Sequence, residues 1–160
     1  MPRTKHAHYR ELAAQLRALL DNERDPIANA ANTAALIFHE LPDVNWAGFY
    51  FLHDDELVLG PFQGMPACVR IPVGNGVCGT AVAQRRTILV EDVHDFPGHI
   101  ACDAASRSEL VIPLLADGRM IGVIDLDSPS RARFDAEDQA GVEALAAIYL
   151  AASAARAHRT

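Results

Sequence analysis

The sequence predicts an α+β fold, with one central antiparallel sheet, N- and C-terminal helices packed on one face, and long loops on the other. Three observations point there. Helical patterns bracket the chain, short apolar strands with hairpin turns lie between them, and two glycine- and proline-bearing stretches interrupt the strands.

Residues 6–20 read as an amphipathic helix, with Leu12, Leu16, Leu19 and Leu20 on one side. Asp25-Pro26 is a helix start, an acid at the N-cap followed by proline in the first turn. The second helix carries Ile27, Ala31, Ala34 and Phe38 at helical spacing and ends before Pro42. A hairpin follows: a strand over 45–52, a turn at Asp54-Asp55, and a return strand near 57–59. Residues 60–79 then read as irregular, with Gly64, Gly74, Gly76 and Gly79 spaced by Pro61, Pro66 and Pro72. A short helix at 80–84 and a strand at 88–90 lead into a second irregular stretch, 91–108. Loops this long are functional or disordered, and their Cys, His, Pro and aromatic content is wrong for disorder. Strands at 110–115 and 120–126 flank Asp117-Gly118, a hairpin signal. Asp135 caps a final helix running through Tyr149 and beyond.

The chain has 160 residues, the size of one ordinary domain, and we expect a single unit over 1–160. Half of the residues are hydrophobic and 22% are charged, as in a globular protein. A formal charge of −7 argues against nucleic-acid and anionic-membrane partners. The polar start and the lack of a long apolar run predict neither a secretory signal nor a membrane span, which leaves the cytoplasm as the expected compartment.

Cys68, Cys78 and Cys102 all fall in or beside the two irregular stretches. An odd number without framework spacing does not suggest structural disulfides. Zinc is a rival, helped by His94 and His99, but there is no Cys-x-x-Cys pair and separations of 10 and 24 residues match no common zinc pattern, so no metal is expected. A redox role suits the trio better: one thiolate attacks, and a second sulfur on a flexible loop resolves the oxidised product.

Asp125 and Asp127 are two apart on a strand and share a face of the sheet. Glu109 begins the partner strand. A three-residue turn at 116–118 sets Glu109 opposite Asp125, whereas a two-residue turn sets it opposite Leu126 on the wrong face; the sequence leaves both open. Clustered acids need a cation, a shared proton or open solvent. The plain reading is a wet sheet end; the sharper one is a pocket for an ammonium group. Trp46 and Tyr50, four apart on a strand, are either core or an aromatic wall for a small ligand. His94, Phe96, Pro97 and His99 precede Cys102 and could shape its pocket.

The stretches GPFQGMPACVRIPVGNGVCGTA (60–81), DVHDFPGHIACDAASRSELVIPL (92–114) and GVIDLDSP (122–129) resemble the free methionine-(R)-sulfoxide reductases, single GAF domains that act as enzymes. The resemblance runs from about Asn45 to Asp138 and implies a GAF fold. It implies Cys102, in GHIACD, as the catalytic cysteine, Cys68 as the principal resolving cysteine, and Cys78 as an auxiliary one. It implies Glu109, Asp125 and Asp127 as acidic substrate-binding residues, with Trp46 and Tyr50 as aromatic contacts. It also implies free methionine sulfoxide as substrate, thioredoxin or a similar dithiol as reductant, no cofactor, and dimerisation as is common for the fold. The alternative is a sensory GAF module that binds a small ligand with passive cysteines. An enzyme should lose two thiols on oxidation by substrate, and a sensor none.

Overall fold

The computed structural model describes residues 2–99 and 105–154. Cys102 therefore lies outside the described residues. Six antiparallel strands form one sheet: β1 (Trp46–His53), β2 (Glu56–Gly64), β3 (Arg70–Pro72), β4 (Ile88–Val90), β5 (Ser108–Ala116) and β6 (Arg119–Ser128). Their order across the sheet is β3-β2-β1-β6-β5-β4. The α+β class, the single antiparallel sheet and the bracketing helices stand as expected.

Three helices cover one face: α1 (Lys5–Leu19), α2 (Pro26–Glu40) and α4 (Ala136–Ala154). Their boundaries follow from local chemistry. The Asp25 carboxylate accepts from the Ile27 and Ala28 amides at 2.9 and 3.0 Å, with Pro26 in the first turn. Asp135 accepts from the Asp138 amide at 3.0 Å, and Asp138 accepts from the Asp135 amide at 2.9 Å, a reciprocal cap that opens α4. Strand alternation then divides the sheet into two cores. Phe49, Leu110, Ile112, Ile124 and Leu126 point to the helices and meet Leu12, Leu16, Ile37, Leu145 and Tyr149.

The opposite face was expected to carry long loops. It also carries a helix, α3 (Gly76–Gln84), longer than the segment read at 80–84. Trp46, Tyr50, Val111 and Val123 pack against its Val77, Ala81 and Val82. Gly76 and Gly79 suggested irregular chain, but tertiary packing overrides their weak helix propensity. A Cβ at Gly79 would stand 2.6 Å from the Pro72 carbonyl oxygen, so glycine is what lets α3 approach β3. The first irregular stretch is shorter than expected for a second reason: β2 continues through Gly60 and Pro61 to Gly64. The register slips there, with Gly48 opposite Phe62 but Tyr50 opposite Leu59, so Pro61 sits in a bulge where it breaks no ladder.

Candidate active site

The β5–β6 hairpin decides where the acids lie. Its turn is the two-residue Asp117-Gly118, both at positive φ (52° and 78°), as a type I′ turn demands. That turn alone would put Glu109 opposite Leu126. The register shifts, however, between Leu114, opposite Gly122, and Leu115, opposite Met120. The bulge leaves Ile121 as the extra residue of β6 and moves the rest of β5 by one position. Glu109 then faces Asp127, and Val111 faces Asp125. Both expected registers are thus corrected, while the gathering of the three carboxylates on one face holds. Gly122 makes the bulge possible, because a Cβ there would run into the Tyr50 carbonyl oxygen on β1.

On the other side of β6, Trp46 pairs with Asp127 and Gly48 with Asp125. The Trp46 and Tyr50 rings stack at 5.9 Å, and Trp46 stacks on Phe62 at 5.2 Å. A Cβ at Gly48 would collide with the Phe62 Cβ and lie 2.8 Å from the Trp46 ring, so the wall needs glycine beneath it. The polar ends of both aromatics hold the next loop. Trp46 Nε1 donates to the Met65 carbonyl at 3.0 Å, and the Tyr50 hydroxyl donates to the Cys68 carbonyl at 2.8 Å. These two bonds fix the segment that carries Cys68 over the sheet.

Trp46, Tyr50, Cys78, Glu109, Asp125 and Asp127 line one cavity, together with Ser106 and His99. About 50 Å³ of it is open to the centre of a water molecule, room for several water-sized groups. A larger groove of about 520 Å³ on the helix side, beside Ile27, Phe51 and Tyr149, has neither cysteines nor acids in its lining among the described residues. Cys78 and all five of the expected aromatic and acidic positions thus meet at one site. Cys68 is disulfide-bonded, whereas Cys78 is a free, buried thiol. Cys78 belongs to the first turn of α3 and not to a loop, contrary to the sequence reading.

Burial dominates the electrostatics. It pushes the Glu109 carboxyl well above the usual range, and the neighbouring Asp125 and Asp127 charges push it further. Asp125 is also raised by burial, opposed by hydrogen bonds with Glu109 and Cys78. Like charges this close resist ionising together, and of the two raised groups Glu109 is pushed up the more strongly. The Cys78 thiol, 3.9 Å from Glu109 Oε2, is driven up by burial and by the same acids, which makes it a poor nucleophile. Burial, then His94, lowers His99. His94 itself is exposed and does not line the cavity.

The second irregular stretch is tied down at both ends. The Val93 amide donates to the Arg107 carbonyl and the Arg107 amide to the Ser128 carbonyl, each at 2.7 Å. Asp92 accepts from Arg107 and pairs with Arg131, both at 3.2 Å, and is lowered first by Arg107. Ser106, which the sequence reading passed over, is buried against the cavity with no hydrogen-bond partner for its hydroxyl among the described residues. A lone serine in an irregular stretch gives no periodic signal that could have singled it out.

A GAF domain model matches residues 27–152. The free methionine-R-sulfoxide reductase of Escherichia coli is 55% identical over 143 residues, covering 89% of this chain and 87% of its own. That of Saccharomyces cerevisiae is 42% identical over 146 residues, covering 86% and 81%. The solved structure of free methionine-R-sulfoxide reductase from Neisseria meningitidis in complex with its substrate superposes with a TM-score of 0.94 at 45% identity, over 100% of this chain and 96% of that one. Fold alone would not separate an enzyme from a sensor, but identity at this level across nearly whole chains does. The chain belongs to the free methionine-R-sulfoxide reductase family of GAF domains.

Proposed function

We propose that the protein reduces free L-methionine (R)-sulfoxide to methionine, as a single catalytic unit spanning the chain. One arrangement carries the reading: three carboxylates, with Glu109 pushed upward by burial and by its neighbours, share a small cavity with an aromatic wall, beside a segment whose cysteine is already in a disulfide. The acids receive the ammonium group of a whole amino acid, which a protein-bound residue lacks. Trp46 and Tyr50 flank the thioether chain.

The Cys102 thiolate attacks the sulfoxide sulfur while the protonated Glu109 donates to the sulfoxide oxygen. The substrate sulfur–oxygen bond breaks, oxygen passes to Cys102 as a sulfenic acid, and methionine leaves two electrons richer. The Cys68 thiol then attacks the sulfenic sulfur, forming a disulfide and releasing water. Thioredoxin or a similar dithiol in the cytoplasm returns both cysteines to thiols. The free state of Cys78 supports Cys68 as the resolver and leaves Cys78 as a reserve. No step calls for a cofactor, and association into a dimer is part of the same reading.

The test is turnover by Cys102→Ser with a dithiol reductant supplied. The variant should bind free methionine sulfoxide and make no methionine; normal turnover would overturn the assignment. The sensory reading predicts binding without methionine formation in the unmodified protein as well.

A further inference from the structure

Cys78, Glu109 and Asp125 bring one sulfur and two carboxylate oxygens within 4.8 Å of one another. The donors stand on α3, β5 and β6, all regular elements, so backbone hydrogen bonds hold them in place without a ligand. Ser106 lines the same cavity as these three residues. Asp125 Oδ1 and Ser106 Oγ are buried with no hydrogen-bond partner among the described residues, and Ser106 is only 6% exposed. Orphaned buried oxygens are rare and unfavourable, and two at one cavity mark a place where something binds.

We propose that this cluster is a site for one borderline-soft divalent cation of the zinc class, held by Cys78 Sγ, Glu109 and Asp125 with a water beside Ser106, and that the bound ion excludes the substrate. A thiolate with two carboxylates is a donor set zinc accepts, whereas magnesium and calcium take oxygen donors alone. Zinc–sulfur and zinc–oxygen bonds of ordinary length place those atoms about 3.6 Å apart in a tetrahedron. The present separation of Cys78 Sγ and Glu109 Oε2, 3.9 Å, closes to that by small side-chain rotations. As the metal bonds form, the thiol proton and the proton on Glu109 leave to solvent, and no electron is transferred. Exclusion of substrate rests on the proposed ammonium position, because ion and ammonium satisfy the same acids; binding of the ion does not depend on it.

The experiment uses the full chain in its disulfide form, in which Cys68 is blocked and cannot chelate. Zinc alone is followed by equilibrium dialysis, and cobalt(II) by the near-ultraviolet band of a thiolate-bound ion. One ion per chain should bind with that band present, and magnesium should not bind. Cys78→Ser should lose the band and weaken binding by about 100-fold. Cys78→Ala, with a melting curve for each variant, repeats the comparison should the serine protein fail to fold. Absence of saturable zinc binding, or binding that survives both substitutions in folded protein, would overturn the site. Free methionine sulfoxide should lower the apparent zinc affinity in proportion to its concentration. Zinc that binds through Cys78 but ignores the sulfoxide overturns the exclusion, and with it the proposed position of the substrate.

Discussion

Replacing Tyr50 by phenylalanine removes one oxygen and keeps the ring. The hydroxyl is 2.8 Å from the Cys68 carbonyl, and the residue is buried beneath the segment it holds. A hydrogen bond of this kind contributes about 1 kcal/mol net, which corresponds to roughly fivefold in a rate or an equilibrium. In Tyr50→Phe that amount falls on the placement of Cys68, because the aromatic wall stays intact. Single turnover with rapid quenching separates the two chemical steps: methionine formed reports the first, and loss of free thiols reports resolution. Methionine formation should stay within about twofold of the unsubstituted protein, with thiol loss about fivefold slower. Unchanged thiol loss would refute the idea that the bond positions Cys68. A fall in methionine formation of about 100-fold would instead put the hydroxyl on the substrate.

Further perturbations test other parts of the account. Glu109 has a raised folded pKa, so its contribution to stability is complete below the usual glutamate range and is lost as pH rises through the folded value. Glu109→Gln should therefore melt higher than the unsubstituted protein at neutral and alkaline pH, lose that advantage in acid, and make far less methionine; melting curves across pH and a turnover assay read both effects. Gly122→Ala forces a Cβ into the Tyr50 carbonyl and should lose about 1–3 kcal/mol in urea unfolding, because the bulge that aligns Glu109 with Asp127 cannot form unstrained. Asp138 is fully buried and accepts from the Tyr9 hydroxyl at 2.7 Å, from Lys5 at 2.8 Å and from Arg133 at 3.3 Å. Asp138→Ala leaves those donors without their acceptor and should lose about 3–5 kcal/mol of stability, with zinc and substrate affinities of the folded fraction unchanged.

The sequence made the helix starts and the faces of the strands readable, because both depend on near neighbours. Asp25-Pro26 and Asp135 act within one turn of chain, and period two alone placed Asp125 and Asp127 together. Register was not readable in the same way. It depends on a bulge at Ile121 that exists because Gly122 must pass the β1 backbone, a contact between residues more than 70 apart. The helix around Cys78 was hidden for a like reason, since Gly76 and Gly79 look like loop residues until α3 meets β3. Ser106 had no pattern to announce it. Cys102, legible as the nucleophile only through resemblance, lies outside the described residues.

The central claim is that one molecule of free methionine sulfoxide takes its electrons from two particular sulfurs. Reduced protein mixed with the R epimer, in the absence of any other reductant, tests it directly by counting methionine and mapping thiols by mass. The account predicts one methionine per chain, a Cys68–Cys102 disulfide, and Cys78 still open to alkylation once the protein is unfolded. Methionine formed with all three thiols intact, or sulfoxide bound with no methionine formed, would contradict it.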